Sequence, residues 1–234
     1  MHTYDLFEMQ EYMRCVLPDI EPGDSLLPRF EENVAPWRSR LRVYAGDITS
    51  IGWSGDPIEY LLVDLMKSFE LAGYVACEFF PSLIPGESLV VHQDYLHYYT
   101  GWIPLLMYRL RDCFEAVYVP PDREGGTVVF RNVRAVVRQA CLEAADFDRI
   151  TLAEIDQAFE YSSGFAPPWR RVCLSAAKAT LLWHLDRRKA EGRVELDFSD
   201  PLAIARLELQ RLGPDLHSAD DDLTGALELI GLEG

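Results

Sequence analysis

Three short apolar runs, RVYAGD at 42–47, IEYLLVD at 58–64 and SLVVHQD at 88–94, each close on an aspartate. An uninterrupted apolar run bounded by polar residues is what a parallel strand covered on both faces produces. A shorter run at the start, HTYDLF, places Asp5 near its end. In doubly wound sheets ligands bind beyond the carboxyl ends of the strands. Asp5, Asp47, Asp64 and Asp94 are therefore all candidates for one such rim.

The segments between these runs are helical in pattern. Phe69, Leu71, Ala72, Val75, Ala76, Phe79 and Phe80 recur at helix spacing, and Pro81 with Pro85-Gly86 ends that helix. LPRFEENVAPW starts like a helix after the proline-rich loop of 18–28, and residues 102–112 form an amphipathic segment. FEAVYVPP and GTVVFRNV, on either side of Gly125-Gly126, read as an antiparallel hairpin. The alternation predicts an α/β domain over 1–135. Its sheet is expected to be doubly wound and mostly parallel, with an antiparallel edge hairpin.

Residues 136–234 read as a helical extension. Helices are expected over 134–145, 151–161, 170–191 and 199–212, and LTGALELIGL adds a short fifth. Thr151 followed by Glu154 is a capping-box signal. Gly213-Pro214 ends the fourth helix, and Asp215, Asp220, Asp221 and Asp222 read as a solvated helix start.

Composition narrows the function classes. A net charge of −16, from 38 acidic and 22 basic residues, disfavours a nucleic-acid partner, which requires clustered cations to displace counterions. No apolar run approaches the roughly 20 residues of a membrane helix. The opening MHTYDLFEMQEY has no basic stretch of the kind that begins a signal peptide, so a cytoplasmic location is expected. Cys15, Cys77, Cys113, Cys141 and Cys173 are odd in number, widely spaced and form no CxxC. That spacing argues against a zinc or disulfide framework and suggests small buried hydrophobes.

YDLFE, RVYAGD, the strand ending at Asp64 and FFPSLIPGESLVVHQDY together resemble class I S-adenosylmethionine-dependent methyltransferases. The resemblance spans roughly residues 2–133, is most specific over 58–112, and is nearest to a metal-using branch that methylates sugars and natural products. It implies that the strands ending at Asp5, Asp47 and Asp64 are the family's second, third and fourth, and that the strand ending at Asp94 is its fifth. By the same resemblance Asp5 binds the cofactor ribose, as a carboxylate accepting from a diol can. Gly46, Asp47 and Ile48 lie at the adenine. Asp64 and Asp94 are catalytic acids or ligands of Mg²⁺, a hard cation that prefers oxygen donors. The expected activity is O-methyl transfer to a small molecule or sugar.

Two departures accompany the match. No glycine-rich turn precedes Asp5, so the chain is expected to be a truncation, or to receive that segment otherwise, and to bind cofactor weakly. Single acids, rather than pairs, follow the two later strands.

Other chemistry is legible at the same rim. His97 is a candidate general base. His92, Asp94 and the distant His184 spell an iron-type facial triad, but within an α/β pattern. Tyr95, Tyr98, Tyr99 and Trp102 either wall an acceptor pocket or belong to the core. Two further classes stand beside methyl transfer: a non-catalytic methyltransferase-like interaction module, and a nucleotide-sugar transferase. An exposed apolar stripe on the helices of 170–212 would mark a homo-oligomer surface.

Overall fold

The computed structural model describes residues 1–121, 126–212 and 221–231. The chain divides into two compact units, Met1–Ser54 and Gly55–Gly234.

In the first unit β1 (His2–Asp5) pairs in parallel with β2 (Arg42–Ala45), aligning Asp5 with Ala45. The Tyr4 and Tyr44 rings of this ladder stack at 4.6 Å, a cross-strand aromatic pair of the kind that fixes register. The connection carries α1 (Leu27–Val34), with proline in its first turn, where the missing N–H costs nothing.

The second unit is built on a mixed sheet of order β3-β4-β6-β5. β3 (Tyr60–Val63) and β4 (Leu89–His92) are parallel, with Val63 opposite His92. β5 (Phe114–Tyr118) and β6 (Val128–Asn132) form the expected antiparallel pair, and β6 also lies antiparallel to β4. The returning strand is thus the inner one. Its Val128, Phe130 and Asn132 are buried, whereas β5 buries Phe114 alone.

The fold is therefore mixed α/β with a mixed sheet. The single continuous sheet expected from sequence is divided: β1 and β2 form one two-stranded sheet, and β3 to β6 form another.

Helix α2 (Phe69–Phe79) starts where the Ser68 side chain accepts from the Leu71 amide, an ordinary N-cap. The next helix, α3 (Trp102–Arg109), buries every residue from Trp102 to Met107. The amphipathic pattern expected there gives way to a helix enclosed on all sides. Beyond the sheet, α4 (Arg138–Ala144), α5 (Leu152–Phe165), α6 (Arg171–Ala190) and α7 (Pro201–Arg211) occupy the four expected places. Thr151 caps α5 by accepting from the Glu154 amide. The fifth helix is α8 (Asp221–Ile230). Gly213-Pro214, Asp215 and Asp220 lie outside the described residues, as do Gly125 of the hairpin loop and the side chains of Asp221 and Asp222. Two short strands, β7 (Arg149–Ile150) and β8 (Glu195–Leu196), pair in parallel.

The boundary expected near residue 135 does not separate two compact bodies. The Tyr95 and Ser162 hydroxyls meet at 2.9 Å in the interior, and Gly101 lies against the α6 backbone at Ala177. The helices after 135 share one core with the second sheet, because α6 buries Ala176, Ala177, Leu181, Leu182 and Leu185. Among the described residues no helix is long and apolar enough to cross a membrane. Of the cysteines, Cys77, Cys141 and Cys173 are buried as expected, but Cys15 is exposed.

Candidate functional site

The first unit brings two of its candidates to one strand end. Gly46 donates from its amide to the Asp5 carbonyl at 3.0 Å, so the turns after β1 and β2 lie side by side. Gly46 has φ +126°, a conformation that L side chains rarely adopt, which explains the glycine. Asp47 caps the short 3-10 turn Ile48–Ser50: its Oδ1 accepts from the Thr49 amide at 2.9 Å and from Thr49 Oγ1 at 2.8 Å. Those bonds, the backbone one foremost, hold its carboxyl below the usual range. Ile48 beside it is buried.

Asp5 Oδ1 accepts from the Phe7 amide at 2.6 Å. Phe7 itself has φ +51°, an outlier for a bulky residue. It is held there by the Leu26 amide on its carbonyl at 2.6 Å and by packing against Phe30. Local strain at the turn after β1 was not legible in the sequence, since nothing in YDLFE demands a left-handed residue.

The second unit brings Asp64 and Asp94 together beyond the ends of β3 and β4, through a residue the sequence had not singled out. Lys67 Nζ donates to Asp64 Oδ1 at 3.0 Å and also to Asp94 Oδ2. Burial pulls the Lys67 ammonium down, but Asp94 and Asp64 outweigh it and hold the group above its ordinary value. Asp64 is raised: partial burial, helped by the neighbouring Asp94 charge, outweighs Lys67. A carboxylate with a raised pKa is better matched to taking up a proton near neutrality.

The donor set does not fit a divalent ion. Two carboxylates share one ammonium where a cation would sit, and no group of three His, Cys, Asp or Glu suited to a metal occurs among the described residues. The single acids at these strand ends were the sequence signal for this shortfall.

His97 Nδ1 accepts from the Tyr99 amide at 3.3 Å. The neutral ring then carries its hydrogen on Nε2, an arrangement that suits a turn histidine rather than a proton acceptor. His92 is buried among Phe80, Tyr95 and Phe130, and neither ring nitrogen has a hydrogen-bond partner. Burial pushes its pKa down to about 3. His92 thus faces the aromatic rings of Phe80, Tyr95 and Phe130.

The aromatic group divides. Tyr95 and Trp102 are core, with Trp102 Nε1 donating to the Met66 carbonyl at 2.8 Å. Tyr98 packs against Gly225. Tyr99 lines an open cleft with Trp183 and His184.

Comparison of the chain with protein-family models, with curated proteins and with solved structures finds no match.

Proposed function

We propose that this chain is the core of an S-adenosylmethionine-dependent methyl-transfer domain acting on a hydroxyl of a small molecule. The observation that carries the reading is the pairing of its parallel strands. A doubly wound sheet runs 3-2-1-4-5-6. Under the family resemblance β1 and β2 are strands two and three, and β3 and β4 are strands four and five. The two parallel ladders, β1–β2 and β3–β4, are the pairs that order leaves adjacent when strand one is set aside.

When bound, the cofactor supplies a sulfonium methyl group, and the protein's part is alignment and proton handling. In the first unit Asp5 would accept from ribose hydroxyls, and Asp47 with Ile48 would lie at the adenine. In the second unit Asp64 would take up the proton that an acceptor hydroxyl gives up on methylation. Asp94 holds Lys67, and Lys67 orients Asp64. No metal enters this scheme.

Calorimetric titration with S-adenosylhomocysteine tests it. Weak but saturable heat that is lost in Asp5→Ala supports the reading. No heat at millimolar ligand from a folded chain overturns it. One observation then favours a non-catalytic module: Lys67 already neutralises both acids at the candidate reacting end.

A further inference from the structure

A cleft of about 320 Å³ opens in the second unit between the start of α2 and the last turn of α6. We propose that it binds a small aromatic carboxylate. The binding claim stands by itself; only the ligand's role as the methyl acceptor rests on the function proposed above.

Charge is the first argument. Lys67, Arg187, Arg188 and Arg193 line the cleft against Glu70 and Glu191, while Asp64, Asp94 and Asp148 bond two of these cations from outside the lining. The chain as a whole carries −16. On so acidic a chain, a lining cation without an ion pair is what an anion would approach.

The second argument is which cation remains available. Arg188 bonds Glu70 at 3.0 Å and Asp148 at 3.3 Å, Arg193 bonds Glu70 at 2.6 Å, and Lys67 is held by Asp64 and Asp94. Arg187 has no ion pair among the described residues. Its guanidinium lies 4.8 Å above the Trp183 ring. Stacking fixes the plane of an arginine and leaves its edge free, and the edge is what grips a carboxylate with two parallel hydrogen bonds.

The third argument is the wall. Tyr99, Trp183 and His184 form a ring-lined side, with His184 5.0 Å from Tyr99 and 4.8 Å from Trp183. Burial, reinforced by Arg187 and Arg188, lowers the His184 pKa to about 4, so this wall is uncharged at neutral pH. A neutral aromatic wall beside an uncommitted guanidinium selects a ligand with a flat ring at one end and an anion at the other. Lys67 lines this cleft and also bonds Asp64 and Asp94.

The test is calorimetric titration of the full chain with 4-hydroxybenzoate, with phenol and inorganic phosphate as the ring-only and anion-only probes. Arg187→Gln and Trp183→Leu are compared with Arg111→Gln, an exposed arginine stacked on Tyr108 elsewhere. Losing a charge-assisted pair weakens binding by about tenfold or more. The expected result is saturable binding of 4-hydroxybenzoate, weakened at least about tenfold in Arg187→Gln, unchanged in Arg111→Gln, and much weaker for both partial probes. No saturable heat at millimolar ligand overturns the proposal. So does equal binding by Arg187→Gln, or phosphate binding as tightly as 4-hydroxybenzoate. Titration with S-adenosylhomocysteine in parallel separates the two claims. Binding of the aromatic acid without the nucleoside removes methyl transfer and keeps the cleft; the converse removes the cleft alone.

Discussion

Arg109 grips Glu154 with two parallel bonds, Nε to Oε1 at 2.8 Å and Nη2 to Oε2 at 2.9 Å. The same guanidinium donates to the carbonyls of Ala144 at 3.0 Å and Asp146 at 2.7 Å. Both side chains are largely buried, so removing one strands the other's charge. Arg109→Ala is expected to cost about 3 kcal/mol. Arg109→Lys should recover only part, because an ammonium cannot reproduce the fork. Urea denaturation measures both, and an unchanged midpoint for the alanine variant would reduce the pair to a surface contact.

That pair also shows where the sequence was readable and where it was not. Helix positions after residue 135 were legible because apolar spacing and local caps, such as Thr151 with Glu154, are short-range signals. Their attachment was not, since Arg109 and Glu154 are 45 positions apart and neither looks unusual in its own segment. The strand-end acids were legible for the same local reason. Lys67, which ties two of them together, carried no pattern of its own. The cleft arginines were hidden differently: Arg187 and Arg188 in a helix's last turn read as ordinary partners of its negative end. The order within the hairpin was open because β5 and β6 are both apolar enough to lie inside.

His92 makes the fold sensitive to acid. In the unfolded chain it takes a proton near pH 6.5, whereas in the folded protein burial delays this to about 3. The unfolded state therefore binds the extra proton between these values, and stability falls as pH drops through that window, by about 1.4 kcal/mol per unit. His184, lowered to about 4, adds in the same direction. His92→Leu is expected to flatten the decline between pH 6 and 4 by about one proton's worth. At neutral pH it should leave stability equal or higher by about 1 kcal/mol, since two unpartnered buried nitrogens are removed. Parallel slopes for the two proteins in pH-dependent denaturation would show that His92 is not the buried base.

Removing Lys67 should expose the charge it covers. In Lys67→Ala the carboxylates of Asp64 and Asp94 face each other without a cation, and two oxygen donors then suit a hard divalent ion. Millimolar Mn²⁺ is expected to raise the Tm of the variant, saturably, by the ordinary linkage between binding and stability. The parent protein should not respond. A response in both, or in neither, would mean that Lys67 does not occupy the cation's place.

Two glycines offer opposite outcomes from one substitution. At Gly101 a Cβ would come within 2.4 Å of the Ala177 carbonyl oxygen and 2.8 Å of Leu181 Cβ. That oxygen belongs to the middle of α6 and cannot move without dragging the helix, so Gly101→Ala is expected to cost about 2–3 kcal/mol by overpacking. At Gly164, inside α5, nothing lies within 4 Å of the added carbon. There Gly164→Ala lowers the entropy of the unfolded chain and favours the helix, for a gain of about 0.5 kcal/mol. Thermal denaturation of the two variants side by side checks the close packing of α6 beneath Gly101. A tolerated Gly101→Ala would mean that α6 lies farther from the start of α3 than this packing requires.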